Sequence, residues 1–262
     1  MRNIKILSAI CLAMLLGIQI QAQEFKVSSA SAKQVIIKGL KGKITVEEYS
    51  GKEVVLSVDE MEEMPEKAKG LKSLYQSSAK DNTGIGLMTS EVGDKIEIMG
   101  ASRRSEDASY LFKIPKGMAL KIDYKMPMTE DHISVNGFSG ELEITTLNDD
   151  IRAQNVTGPL VLYSVNGDIT VKFTDVNQSS PISVTAVNGE IDVDLPANTP
   201  ANIKMGTING ELFTNFDIDF EKKKKNGLSY IGGGQDIDGT INNGGVEIML
   251  KAINDNIYLR KK

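Results

Sequence analysis

The chain has 262 residues, with 30 Lys and Arg against 35 Asp and Glu, one His, one Cys and no Trp. That length supports one or two domains with a sizeable core, and the net charge of −5 speaks against a nucleic-acid or anionic-membrane partner. A single cysteine excludes an intramolecular disulfide, so stability must come from packing and hydrogen bonds.

Residues 1–22 are composed unlike the rest. Arg2 and Lys5 precede an apolar run from Ile6 to Ile20, and Gln-Ala-Gln follows. This is the layout of a secretory signal peptide, with cleavage expected after Ala22. The run is shorter than the roughly 20 apolar residues of a spanning helix; an uncleaved anchor is the competing reading. Cys11 lies inside the run and follows Ile10, so the small residue that precedes a lipid-acceptor cysteine is missing and no lipoprotein is expected. The mature chain then holds no cysteine and no second apolar stretch able to cross a membrane. It carries 28 basic residues against 35 acidic ones, a net charge of −7.

Leu40, Gly42, Ile44 and Val46 set a small residue before alternating apolar ones, and Gly51 follows Gly42 by nine. Residues 61–93 break away from this pattern. Pro65 is placed to open a short helix through Tyr75, with Ala68, Leu71 and Tyr75 on one side. Residues 76–90 read as loop, and strands resume at Lys95–Met99 and Tyr110–Ile114.

From residue 133 the pattern becomes a repeat. The doublets Ser139-Gly140, Asn148-Asp149, Thr157-Gly158 and Asn166-Gly167 recur every nine residues. Two positions after each doublet's second residue stand Leu142, Ile151, Leu160 and Ile169, with Ile133 one nine-residue unit earlier; two further on stand Val135, Ile144, Ala153, Leu162 and Val171. Phe138, Leu147, Val156 and Val165 lie two positions before the doublets' second residues. Polar residues such as Glu143, Arg152 and Thr170 fall between. Alternation is the period-two signature of strands with one buried face, and the doublets fall where the chain must turn.

Short strands joined by tight turns wind as a solenoid. The expected fold is therefore all-β: a single-stranded β-helix with coils of roughly 18–22 residues, each coil made of two nine-residue half-coils. Coils would stack at about 4.8 Å, with the three apolar columns as interior ladders. An antiparallel sandwich also alternates, but it has no reason to hold a nine-residue register.

The cadence then loosens. Val187-Asn188-Gly189-Glu190-Ile191 and Ile208-Asn209-Gly210-Glu211-Leu212 repeat Val165-Asn166-Gly167-Asp168-Ile169, so the glycines step 167, 189, 210. Pro181, Pro196 and Pro200 fall in the longer loops. Residues 217–240 read as a loop insertion with Lys222 to Lys225 and Gly232 to Gly234. Val246, Ile248 and Leu250 alternate again, Ile253-Asn254-Asp255-Asn256-Ile257 forms the last turn, and Ile257 and Leu259 precede Arg260, Lys261 and Lys262. Residues 23–262 are expected to form one elongated domain.

KGLKGKITVEEYSG, IPKGMALKIDY, SGELEI, VTGPL, VNGDITV, VNGEIDVDLP and GTINNGGVEIMLKAINDNIYLRK together resemble the putative-adhesin family of bacterial envelope proteins, first known as a domain of unknown function. The resemblance covers most of residues 35–260. It implies a β-solenoid and an exported location, and it brings no binding residues with it.

Catalytic chemistry finds little to use. His132 is the sole histidine, so a Ser-His-Asp or Cys-His site would have to include it; the repeat places it in an outward column with Glu141, Asp150 and Asp168. Zinc lacks both cysteine and a second histidine. Asp150, Asp168, Glu190 and Glu211 would stack as an acidic column. This reads as a solvated turn edge, with a calcium ladder as the alternative, and the Gly-Gly-x-Gly-x-Asp pattern of calcium-binding nonapeptides is missing. Asp149-Asp150 and Glu130-Asp131 are paired only by the repeat. With Trp absent, sugar stacking would fall to Tyr or Phe; Tyr163 and Tyr258 project outward by alternation, where lone exposed tyrosines are commonly inert. Lys222 to Lys225 read as a solvated charge run, and Gly232-Gly233-Gly234 lacks the strand–helix setting of a phosphate loop. No catalytic, cofactor-binding or metal residue is assigned, and no cofactor is expected.

The functional expectation is a non-catalytic, exported cell-envelope adhesin presenting an extended repeat surface to a surface, glycan or envelope-protein partner. It would lie at the cell surface, secreted, or in the periplasm of a Gram-negative-type envelope. A periplasmic structural or signalling component is the first alternative, and a carbohydrate-active β-helix enzyme the second.

Overall fold

Alternation decides the strands: from Leu160 to Ser164, Leu160, Leu162 and Ser164 are buried while Val161 and Tyr163 are exposed. The structure is a computed structural model and describes residues 23–62, 65–71, 79–124, 132–220, 223–225, 228–230 and 236–262. The expected signal peptide, Cys11, the Glu130-Asp131 pair, Lys222 and the Gly232–Gly234 run lie outside the described residues.

The N-terminal strands are β1 (Gln23–Ser28), β2 (Gln34–Lys38), β3 (Lys43–Tyr49), β4 (Glu53–Glu60), β5 (Leu87–Val92), β6 (Lys95–Gly100) and β7 (Ser109–Pro115). The middle holds β8 (Ala119–Tyr124), β9 (His132–Asn136), β10 (Leu142–Thr146), β11 (Asp150–Val156), β12 (Leu160–Ser164), β13 (Ile169–Phe173), β14 (Ile182–Ala186) and β15 (Ile191–Leu195). The C-terminal part holds β16 (Ala201–Gly206), β17 (Leu212–Thr214), β18 (Asp219–Phe220), β19 (Lys223–Lys225), β20 (Leu228–Tyr230), β21 (Asp236–Ile241), β22 (Val246–Lys251) and β23 (Ile257–Lys261).

All but β19 and β20 belong to two long sheets rich in parallel pairs. A ten-stranded sheet runs β1-β4-β7-β3-β9-β11-β13-β15-β23-β17, and an eleven-stranded sheet runs β18-β21-β16-β22-β14-β12-β10-β8-β2-β6-β5. Strands β8 to β15 alternate between the sheets, and each pairs in parallel with the next strand of its own sheet. Ile133, Ile151, Ile169 and Ile191 stand in one register, and Leu120, Leu142 and Leu160 in another. Ile151, Ile169 and Ile191 are each 0% exposed; burying such a side chain stabilises by about 1.5–3 kcal/mol. One buried apolar cluster extends from Val27 to Leu259.

The two ends are built differently from the middle. The first coil, β2 and β3, does not head the stack: β2 lies between β6 and β8, and β3 between β7 and β9. The last coil is likewise inserted, β22 between β14 and β16, and β23 between β15 and β17. Gly210 therefore stacks on Asp255 and not on Gly189, which corrects the order implied by the glycine steps. Antiparallel strands close three of the four margins of these sheets: β4 on β7 with β1 on β4, β5 on β6, and β21 on β16 with β18 on β21.

Other expectations are corrected as well. Glu66–Ala68 forms only a single 3-10 turn that buries no residue; Gly70 turns the chain away with φ +81°, and Leu71 is 69% exposed. The rest of the expected helix lies outside the described residues. The stretch read as loop to residue 90 contains most of β5, held by its pairing with β6. Part of the loop insertion is strand: β18 and β21 extend the eleven-stranded sheet, and β19 pairs with β20. Buried Tyr110 anchors the excursion by donating to the Ile85 carbonyl at 2.8 Å, and burial pushes its phenol pKa up.

The third apolar column is not uniformly interior. Phe138 and Val156 are 1% exposed, yet Ile253 is 37% and Ile208 58% exposed, and Leu147, Val165 and Val187 are half-buried. The reason is local. Asn155 adopts φ 55° where the β11 register shifts, and this bulge returns Val156 to the core. No such register shift occurs between β10 and its neighbours, so Leu147 is left at the turn. The two halves of a coil are thus distinct here, one turning through a bulge at Asn155 and the other through the Asn-Gly edge.

Candidate functional site

The Asn-Gly edge carries a regular run of side-chain hydrogen bonds from coil to coil. Asn166 donates through Nδ2 to Asn148 Oδ1 at 2.7 Å, and Asn188 to Asn166 at 2.7 Å. Asn254 donates to Asn188, and Asn209 to Asn254 at 2.7 Å. The ladder runs through the inserted last coil without a break. Beside it lie the aliphatic residues Leu147, Val165, Val187, Ile253 and Ile208.

Glycine here answers a close approach, not a left-handed φ. A Cβ on Gly167 would press into the Asp149 carbonyl, and one on Gly210 into the Asp255 carbonyl. Neither glycine has positive φ. Turn dihedrals, the sequence-based reason for these doublets, are not what selects glycine at these two positions.

The acidic column is engaged with the backbone. Asp150 Oδ1 accepts the Asp168 N–H at 3.0 Å, and Asp168 Oδ1 accepts the Glu190 N–H at 2.8 Å. Glu190 Oε1 accepts from Asn256 Nδ2 at 3.3 Å and from the Tyr258 hydroxyl at 3.2 Å. Asn256 Oδ1 in turn accepts the Glu211 N–H at 2.9 Å. Each step gives one carboxylate or amide oxygen a donor from the next coil, and this offsets the repulsion expected between stacked carboxylates. Among the described residues, no group of three His, Cys, Asp or Glu is placed to hold a metal ion.

Asp149 and Asp150, adjacent in sequence, divide their tasks. Asp149 is 0% exposed, and its carboxylate accepts from the Thr146 hydroxyl at 3.0 Å. Asp150 faces outward, 3.2 Å from the Arg152 guanidinium. Their separation follows from the strand beginning at Asp150. His132 begins β9, half-buried, in register with Asp150. Glu141 is exposed just ahead of β10.

The outer faces of the sheets differ in character. The ten-stranded sheet carries fixed charge pairs: Arg152 with Asp150, Lys172 with Asp194 at 4.0 Å, and Arg260 with Asp192. Toward the C-terminal end, the Phe213 ring stacks on Tyr258 with centroids 5.2 Å apart and an 11° tilt, and the Arg260 guanidinium lies 5.1 Å from the Tyr258 centroid. Tyr258 is therefore no isolated ring, and sequence reading missed the grouping because Phe213 and Tyr258 lie far apart in the chain. Centrally, the eleven-stranded sheet shows Thr145, Tyr163 and Thr185 in register, with Val161 49% exposed. Lys121 with Glu143 at 2.6 Å and Lys204 with Glu247 at 2.5 Å flank that neutral patch.

No helix among the described residues is long and apolar enough to cross a membrane. The sequence profile of the Toastrack DUF4097 family matches residues 16–260. Two solved structures are distantly similar. The "putative cell adhesion protein" of Clostridium sporogenes is 12% identical with a TM-score of 0.44, covering 92% of this chain and 100% of its own. The "putative adhesin" of Parabacteroides distasonis is 8% identical with a TM-score of 0.26, covering 92% of this chain and 97% of its own. No curated protein matches. The chain belongs to the Toastrack DUF4097 family, and the resemblance carried by SGELEI, VNGDITV and NGGVEI is to this family.

Proposed function

We propose that this Toastrack protein is a non-catalytic, exported cell-envelope protein whose long outer faces bind a partner, with adhesion as their use. One observation carries the reading. Several outward side chains of the ten-stranded sheet pair with neighbours on the same face, as Arg152 does with Asp150 and Arg260 with Asp192. A surface ordered before contact loses less side-chain entropy on binding. The carboxylates that general acid–base work would require are spread along the turns, and Asp150, Asp168 and Glu190 serve as hydrogen-bond acceptors within the ladder. Residues 23–262 act in this reading as one elongated domain, supported by the continuous apolar cluster. Export rests on the leader-like residues 1–22.

The test is protease treatment of intact cells beside a protected periplasmic control. Loss of the protein while the control survives is the expected result, followed by binding to glycan or host-matrix surfaces. Survival until the outer barrier is broken would transfer the protein to the periplasm, as a structural or signalling component of the envelope.

A further inference from the structure

Three of the four sheet margins end on antiparallel strands: β1 beyond β4, β5 beyond β6, and β18 beyond β21. The fourth ends on β17, a three-residue strand parallel to its neighbour β23. Edge strands present unpaired main-chain groups and are commonly blunted. Here, among the described residues, no strand covers the edge.

Several ladders reach this coil and stop. Asn209 passes its Nδ2 to Asn254, but its Oδ1, the atom that receives the next amide at Asn148, Asn166, Asn188 and Asn254, receives none among the described residues. The Glu211 N–H is bonded to Asn256. Its carboxylate takes no N–H among the described residues, unlike those of Asp150 and Asp168. Phe213 covers Tyr258 with one ring face and is 43% exposed. Ile208 is the most exposed member of the aliphatic column, at 58%.

We propose that this end is a strand-addition site for a partner polypeptide. The recognised segment lies parallel to β17 and is preceded by an apolar–Asn–Gly turn. Its Asn donates to Asn209 Oδ1, its glycine tolerates the Gly210 carbonyl, a main-chain N–H reaches the Glu211 carboxylate, and a ring or guanidinium covers Phe213. This chemistry is fixed by continuity, because residues 253–261 make the same contacts on the other side of the coil. Main-chain pairing would supply affinity and the ladder positions specificity. A second copy stacked head to tail does not supply the turn, since the opposite end shows the antiparallel strands β1 and β5. The proposal deepens the binding reading, resting on it only for the premise that the protein engages a partner.

The probe is a fluorescein-labelled peptide of this chain's residues 187–195, VNGEIDVDL, carrying Asp192→Tyr so that a ring meets Phe213, titrated with the purified full chain and followed by polarisation. Saturable binding is expected, weakened at least about tenfold by Phe213→Asp or Asn209→Ala. Val92→Asp, at the opposite margin, should bind like the parent chain, and a scrambled peptide should not bind. Thermal melting of each variant checks that it is folded. No saturable binding, or equal binding to Phe213→Asp, overturns the proposal. So would sedimentation showing a Phe213-dependent dimer that takes up no peptide, which would give this margin to a second copy. Purified components make this result independent of where the protein resides in the cell.

Discussion

The middle of the molecule and its two ends use the same strand chemistry but different connectivity. Between β8 and β15 each strand pairs with the next strand of its sheet, so Ile151 meets Ile169 eighteen residues later. At the C-terminal end Ile191 meets Ile257 instead, across 66 residues. At the N-terminal end Ile44 meets Ile133, with two antiparallel margins formed in between. Local stacking allows a coil to form on the one before it. An inserted coil requires both flanking coils to admit a distant segment, and loop closure is entropically unfavourable before those contacts form. The same buried ladder can therefore belong to a locally closed unit in the middle and a long-range one at the ends.

The sharpest way to break the comparison is to attack the alternation that both regions share. Ile151→Asp places an unpaired charge at a 0% exposed position and should cost several kcal/mol, unfolding the middle. Arg152→Asp alters the exposed neighbour and should stay within about 1 kcal/mol, chiefly through its ion pair with Asp150. Equal melting temperatures for the two would remove the basis of the interior ladder.

A second pair separates the regions. Ile169→Ala and Ile257→Ala delete the same atoms at 0% exposed positions, each expected to cost about 2–5 kcal/mol. Hydrogen exchange should read them differently. The Ile169 variant should quicken amides throughout the sheets, while the Ile257 variant should quicken β16, β17, β22 and β23 and leave β9 to β13 slow. Uniform quickening in both would make the whole stack one cooperative unit.

Legibility in the sequence follows the same boundary. The columns through Ile133, Ile151 and Ile169, and through Leu142 and Leu160, were readable because partner strands lie only two half-coils away. The glycine steps 167, 189, 210 suggested consecutive stacking, yet Asp255 intervenes, because the spacing of a motif carries no information about which coil is admitted between two others. The bulge at Asn155 was hidden for another reason: one residue in the left-handed region changes which face Val156 occupies without changing its apolar character. At the turn edge, sequence supplied the acidic column but not its hydrogen bonds, which depend on each backbone N–H lying above a carboxylate. Phe213 was missed because its stacking partner arrives from the chain's last strand.

Glycine packing offers a third, smaller test. Gly167→Ala drives a methyl into the Asp149 carbonyl, and backbone cannot yield as a side-chain tip does. About 1–3 kcal/mol of destabilisation is expected. Gly137→Ala meets nothing within 4 Å but must hold φ 69°, which costs about 1 kcal/mol. Urea midpoints in that order would support close coil approach as the reason for the Asn-Gly edge; the reverse order would return the explanation to turn dihedrals.

The smallest difference concerns the amide ladder. Asn166 both donates to Asn148 and accepts from Asn188, whereas Asn209, among the described residues, only donates, to Asn254. A hydrogen bond is worth about 0.5–1.5 kcal/mol net, and exposed amides recover part of that by bonding to water. Asn166→Ala should therefore destabilise by about 1 kcal/mol and Asn209→Ala by less, resolved by urea denaturation with the slope held equal. If Asn209→Ala costs as much as Asn166→Ala, the ladder strengthens no single coil through its second bond. If Asn209→Ala is nearly silent for stability and still weakens peptide capture, its free acceptor contributes to recognition, and the fold loses little by leaving that rung open.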